Sequence, residues 1–584
     1  MYVSRKIRRA IVLSVMTGSL TLLPSFCPIN INLSMPVSVV SIAHAEVRTY
    51  TGVGEDYSNE YETQEMAKQR ARSKAIRQAT EQAGLYLQTY SKSINANLTA
   101  DETSAIASNS YQVVGEVHYD KTVNQLSNTV TVIVWKATVQ VKVDDTEVRS
   151  WLNRDEQNRF NIVNQNNTAQ QAAAENDRQV EDLRKRAESL NNDAERAAIK
   201  AEYQQVDNEF TANQLLEEGN KLYYQQDYNG AIGKYTQIIR LNPNYAEAYN
   251  NRGLAYDEMG NSNAAIADFN KALEFKTHEF MYNNRGVAYY NLKNYTQAIA
   301  DYSKAIELNP NYAMAYNNRG AAYADLKKYN EAIADYNKAI ELNPNFAMAY
   351  NTRGNAYYRM QKYNAAINDY NKAIEINPNY AEAYYNRGLV HFDMENYTAA
   401  IADFTKAIQL NPNDTKTYHY RGLTYVKIQN YDAAIVDYTE LIEIYPNNAE
   451  AYYNRGYVYY LMQDYNAAIA DFTKAIELNP NYFEAYNDRG AAYDEMKNYN
   501  AAIADYNKAI EINPKLAEAY NNRGNAYYAL KNYNEAIADF NKAIKLNPNY
   551  VKAYNNRGRC YEAMGDTARA KADFAKARAL GYNG

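Results

Sequence analysis

Residues 313–346, AMAYNNRGAAYADLKKYNEAIADYNKAIELNPNF, are one copy of a motif that the chain writes eleven times between residues 212 and 584. The period is 34 residues, and one copy is a residue shorter near Thr277. Copies begin at Ala212, Ala246, Glu279, Ala313, Ala347, Ala381, Thr415, Ala449, Phe483, Ala517 and Val551. A fixed period of this size signals a solenoid, in which each unit packs only on its neighbours. Such arrays seldom perform chemistry. They offer a long curved surface to something else.

Within each copy, position 8 is glycine and position 20 alanine in all eleven, as at Gly320 and Ala332. Position 24 is always Tyr or Phe, as at Tyr336 and Phe540, and position 32 is proline except at Thr277 and Tyr582. Small residues facing each other let two antiparallel helices approach, and the aromatic fills the space beyond. Proline lacks a backbone N–H and tolerates only a helix's first turn, so it ends one repeat and starts the next. The reading is helix, turn, helix, turn.

These residues are those of the tetratricopeptide repeat family, which the chain resembles over nearly two thirds of its length. Departures are few: Ile238 and Leu441 stand for the alanine at position 27, and Leu222 and His391 for the aromatic at position 11. The resemblance implies a mostly α fold, a right-handed superhelix of eleven helix pairs whose first helices line a concave groove.

Position 7 is arginine and position 23 aspartate in repeats 2 to 11, whereas repeat 1 has Glu218 and Lys234 there. A joint reversal of sign predicts a direct ion pair between the two helices of each repeat, bidentate where arginine supplies it. The last helix, Thr567 to Leu580, carries Arg569, Lys571, Lys576 and Arg578, as a capping helix with no following repeat requires.

If positions 4, 8 and 11 face the partner helix, positions 2, 5, 6, 9, 12 and 13 form the opposite stripe, the groove. Position 6 is asparagine at Asn251, Asn284, Asn318, Asn386, Asn454, Asn522 and Asn556, with breaks at Thr352, Tyr420 and Asp488. An amide both donates and accepts, and so suits a peptide backbone. Position 12 adds Tyr290, Tyr358, Phe392, Tyr460 and Tyr528. The asparagine ladder resembles the repeat domain of O-GlcNAc transferase, which implies binding of extended polypeptide. The other reading of these amides is a solvated polar face. The transferase likeness is expected to stop with the repeats.

Residues 1–45 read as an export signal. Arg5, Lys6, Arg8 and Arg9 precede an apolar run, and Ala43-His44-Ala45 forms a small-x-small cleavage site before Glu46. An uncleaved anchor and a lipoprotein built on Cys27 are the alternatives. The whole chain carries formal charge −6; the signal holds four basic and no acidic residues, which leaves −10 for the remainder. That balance argues against nucleic acid as a partner. Only Cys560 remains after cleavage, so neither an intramolecular disulfide nor a cysteine-based metal site is expected. His118, His278, His391 and His419 sit in no metal-ligand motif, and neither a phosphate loop nor a nucleophile motif is present. No enzyme activity and no cofactor are expected.

Residues 46–148 read as a small α+β domain. Val47 to Val53 predicts a strand, residues 63–83 a helix with Ala67, Ala71, Ala75, Ala79 and Ala83 on one face, and Tyr111 to Val117 and Thr129 to Val143 further strands. Tyr50-Thr51-Gly52-Val53-Gly54, Gln82-Ala83-Gly84-Leu85-Tyr86 and Trp135-Lys136-Ala137-Thr138-Val139 make this unit similar to the N-terminal domain of flagellar assembly protein T and to small envelope lipoproteins. That likeness implies an envelope protein. Residues 149–208 are polar and predict a solvated spacer helix; Leu183, Leu190 and Ala197 at seven-residue spacing also allow a coiled coil and a homo-oligomer. The expectation is an exported scaffold of the periplasm or envelope that binds protein or peptide in its groove. The alternative is a structural or motility component acting through residues 46–148, with the repeats as spacer.

Overall fold

The computed structural model describes residues 47–58, 62–93, 98–125, 131–144, 146–152, 154, 156–188 and 193–582. The predicted export signal, residues 1–45, lies outside them.

The first element, β1 (Val47–Ser58), runs antiparallel to the long central strand β4 (Thr131–Asp144), with Gly52 opposite Val139. The other edge of β4 is shared by β2 (Gln112–Val113) and β3 (His118–Gln125). Helix α1 (Gln64–Ser93) lies across this sheet on its alanine stripe, Ala67 to Ala83, every member fully buried. The approach requires glycine on the strand. A Cβ on Gly52 would fall 1.8 Å from the Ala75 carbonyl oxygen, and one on Gly54 2.2 Å from that of Ala71. Gly84 does not interrupt the helix; a Cβ there would meet nothing closer than 3.6 Å. Helix α2 (Ala100–Ser110), unpredicted, starts at a capping box in which Thr99 and Glu102 satisfy each other's backbone N–H groups. The expected strand at Tyr111 to Val117 shrinks to β2.

After the short α3 (Thr146–Leu152), the polar region differs from a single spacer helix. It forms two long helices, α4 (Glu156–Ala187) and α5 (Asp193–Tyr224), folded against each other. Val180 and Leu183 of α4 bury against Ile199, Tyr203 and Val206 of α5. Leu183 is therefore spent within the chain, and Ala194, Ala197 and Ala201 are exposed. The hairpin is clamped to the sheet domain by a buried ion cluster. Arg70 contacts Asp56, Glu62 and Asp207, while Arg184 reaches Asp56 and Glu62. Burial pulls the Asp56 carboxyl up, but Arg184, Arg70 and Lys74 together hold it below its usual value. At Glu62 burial prevails over Arg70 and Arg184 and the carboxyl rises.

Helix α5 continues without a break into the first repeat, whose second helix is α6 (Tyr228–Leu241). From α7 (Ala246–Glu258) onward, first helices of 13 residues alternate with second helices of 14, apart from a closing helix of 13 (Thr567–Ala579). The turn inside every repeat is a left-handed corner at position 15. It is glycine at Gly260 and Gly565 and otherwise a long polar residue, such as Lys327 (φ 61°). Pro344 lies between the C-cap Asn343 and the next helix start, Ala347. Proline thus stops the second helix and sits before the first turn of its successor, not within it.

Candidate functional site

The arginine at position 7 locks each repeat. In all ten repeats from 2 to 11, Nε and Nη2 donate to the two oxygens of the position-23 aspartate, at 2.6–2.9 Å. The reversed pair also forms, Lys234 Nζ to Glu218 Oε2 at 2.5 Å. The remaining Nη1 donates to position 25 of the preceding repeat, for instance to Ser303 Oγ from Arg319 and to Thr473 Oγ1 from Arg489. One guanidinium therefore joins three helices, which leaves the inner face to other residues.

On that inner face, the position-6 amides form a continuous seam. Asn318 Nδ2 donates to Asn283 Oδ1 (3.0 Å), Asn386 to Asn351 (3.0 Å) and Asn556 to Asn521 (3.1 Å), each pairing with position 5 of the repeat before. Asn284 reaches Asn250 (3.2 Å) and Asn522 reaches Asn487 (3.4 Å) in the same way. Asn454 meets His419 Nδ1 (3.3 Å), and Asn251, the exception, meets Asn220 (3.0 Å). The three breaks keep the contact by other chemistry. Thr352 donates its hydroxyl to Asn317, Tyr420 packs edge-on to Tyr385, and Asp488 accepts from the Tyr453 hydroxyl. One amide hydrogen of each ladder asparagine is thus committed between repeats.

The position-12 rings divide. Tyr290 and Tyr358 donate to Asp325 and Asp393 of the next repeat, and Arg559 lies 5.0 Å from the Tyr528 ring centroid. Phe392 stacks edge-on to Tyr397 and Tyr420, and Tyr460 tilts against Tyr465. Beside Tyr460 stands Tyr457 at position 9, 40% exposed and absent from the sequence expectation. Its exposure on the inner stripe marks it as available. Groove positions of repeats 8 to 10 hold Glu450, Glu484, Asp488, Asp494, Glu495 and Glu518 and no basic residue. Asp494 is pushed up to about 6, first by burial and then by Glu495. Acidic ligands are disfavoured there.

The first part of the groove is occupied. Asn158 of α4 donates Nδ2 to Glu258 Oε1 (2.9 Å), and the Phe160 ring meets Tyr312 with centroids 5.6 Å apart. Asn220 Nδ2 donates to the Gln165 carbonyl (3.1 Å). Among the described residues no group of three His, Cys, Asp or Glu side chains could hold a metal ion, and no helix is long and apolar enough to cross a membrane.

Family models of the tetratricopeptide repeat match residues 246–276, 280–312, 313–346, 381–414, 449–482 and 517–550, and others 335–368, 472–504 and 540–572. A TPR repeat model matches residues 219–260, 354–395, 422–463 and 495–531, so that together more than half of the chain is covered. The chain belongs to the tetratricopeptide repeat family. Tetratricopeptide proteins mediate protein–protein interaction and scaffolding, and their repeats are generally non-catalytic. The chain is 36% identical to Hsp70-Hsp90 organizing protein 1 of Glycine max over 83 residues, 14% of each protein. It is 42% identical to small glutamine-rich tetratricopeptide repeat-containing protein beta of Homo sapiens over 57 residues, 10% of this chain and 19% of that one. The chain thus spans under a fifth of the length of these relatives. Among solved structures it is similar to YrrB, described as a TPR protein with an unusual peptide-binding site. That match has 29% identity, 32% of this chain, 95% of the other and a TM-score of 0.29. It is also similar to MamA, at 31% identity, 27% and 93% coverage and a TM-score of 0.25.

Proposed function

We propose that this tetratricopeptide protein is a non-catalytic exported scaffold that holds a protein or peptide segment in its concave groove and so supports assembly of a cell-envelope complex. The binding stretch is the part of the groove beyond α4, from repeat 5 to repeat 10. The observation that carries this reading is the Tyr457–Tyr460 pair, an aromatic surface on the inner stripe with Tyr457 40% exposed. Aromatic side chains supply large contact area at low entropic cost and dominate binding surfaces. The amide ladder contributes a shaped, rigid floor and its acceptor oxygens. The export reading rests on residues 1–45, and the envelope reading on the likeness of the sheet domain to that of flagellar assembly protein T.

The test is a pull-down from envelope extract with the chain beginning at Glu46, beside Tyr457→Ala/Tyr460→Ala. No ladder hydrogen bond is removed by these changes, so the fold is retained and checked by circular dichroism. A partner captured by the parent and lost from the variant supports the reading. Equal capture by both overturns it and transfers the role to the sheet domain.

A further inference from the structure

Residues 158–169, NRFNIVNQNNTA, form the first half of α4, and none of the twelve is exposed. The sequence is polar, with five asparagines and one glutamine, yet six of the twelve residues are buried and the others half-buried. A helix of this composition is ordinarily solvated. Here α5 and α2 cover two sides, with Arg159 meeting Glu102 of α2, and a third lies on the groove stripe of repeats 2 and 3. Ile162 is buried with Leu254 and Ala288, and Phe160 packs among Tyr312, Met314 and Met348.

The seam between them is not close-packed. A cavity of about 10 Å³, the room of one water, lies between Asn161 and Gln165 on one side and Asn250, Asn251 and Asn284 on the other. A second, of about 170 Å³, is bounded by Asn161, Leu254, Glu258 and Asn291. Both side-chain polar atoms of Gln165 and Oδ1 of Asn284 are buried there without a protein partner. Polar groups of this kind suit a bridging water, so the contact is wetter and less close-packed than a matched apolar core.

We propose that the proximal groove is a helix-binding surface and that the first half of α4 is its resident occupant, standing where a partner's helix of the same kind would lie. That kind is a helix with an apolar ridge like Phe160 and Ile162, flanked by amides. An external helix reaches repeats 2 to 4 only when α4 leaves; otherwise partners are confined to the later repeats. The consequence for partners rests on the groove being the binding surface, but the docking itself is testable with no partner present. The tethered segment acts at an effective concentration on the order of millimolar, so a micromolar competitor binds only after undocking.

The experiment uses the full chain and a fluorescein-labelled peptide of residues 156–175 added in trans. Phe160→Ala removes the ring seated on Tyr312. Asn158→Ala removes the donor to Glu258 from α4 itself, leaves the groove and its Glu258 acceptor intact for the peptide, and serves as a second variant that takes away no apolar contact. The expected result is peptide binding to both variants at least about tenfold tighter than to the parent, a gap of about 1.4 kcal/mol. Hydrogen exchange should also rise in residues 250–258 and 284–291 and stay unchanged in repeats 8 to 10. Equal binding to parent and variants, or no binding to either variant with exchange unchanged, overturns the proposal. Neither result bears on capture at Tyr457 and Tyr460, so failure here is distinct from failure of the scaffold reading.

Discussion

Arg387 grips both carboxylate oxygens of Asp403, through Nε at 2.9 Å and Nη2 at 2.6 Å, while its third nitrogen reaches Asn371 of the preceding repeat. The aspartate side chain is only 8% exposed. Removing the arginine charge strands a largely desolvated carboxylate, and this cost exceeds that of a surface pair. Arg387→Asp should therefore destabilise by about 2–3 kcal/mol, below the range for a fully buried pair. Arg387→Asp with Asp403→Arg should recover more than half of that in a urea-unfolding double-mutant cycle. Repeat 1, with Glu218 and Lys234, already shows the reversed pair in place.

The glycines at position 8 differ in how much room they lack. A Cβ on Gly354 would lie 2.6 Å from Cε1 of the fully buried Tyr370, whereas one on Gly422 would lie 3.0 Å from Cζ of Tyr438. Gly354→Ala should cost about 2–3 kcal/mol through overpacking and Gly422→Ala about 1 kcal/mol. Denaturant midpoints of the two variants decide it; equal losses would mean that the ring contact does not set the cost.

Asn386 donates to Asn351, whose side chain is 1% exposed. Asn386→Ala leaves that acceptor short of its donor and should cost about 1–2 kcal/mol. Local hydrogen exchange should rise in the first helices of repeats 5 and 6 and not in repeat 10. An unchanged exchange pattern would mean that the ladder bond adds nothing to stability.

Asp494 gives a pH dependence. Burial and Glu495 raise its folded-state carboxyl to about 6, above the value near 3.9 of an unfolded chain. The folded protein thus holds this proton more tightly. The stability gained from it is complete below about pH 4 and is lost as pH rises through about 6. Asp494→Asn lacks this loss. Between pH 4 and 7 the variant should gain on the parent, by under about 1 kcal/mol because the group is partly exposed. A constant difference across that window would show that Asp494 titrates normally.

The repeat architecture is legible because eleven copies repeat each requirement, and the Arg–Asp lock because repeat 1 reverses both signs together. The alanine stripe likewise announces a close-packed helix, and Gly52 and Gly54 supply its other half. Other features are hidden for physical reasons. Strand β3, HYDKTVNQ, has no apolar alternation because it lies at the sheet edge. Helix α2 carries a readable Thr99–Glu102 box but few apolar residues to draw attention. The groove amides stand out as a ladder, yet spacing alone does not reveal that position 5 of the preceding repeat takes their hydrogens. Docking of α4 is least legible, because its polar composition reads as solvated and its partners lie far along the chain.

That separation has a consequence for biogenesis. The chain is made from its N-terminus, and domains generally fold in that order. The filler segment around Phe160 leaves the ribosome well before Tyr312, so it waits for its own cradle to be translated. The solenoid's other contacts close between neighbours, as contacts of low sequence separation do, and form early. The closure of Phe160 on Tyr312 is the late one. A greasy filler would be a hazard during that wait. Five asparagines in twelve residues keep the unattached helix soluble until the floor beneath it exists.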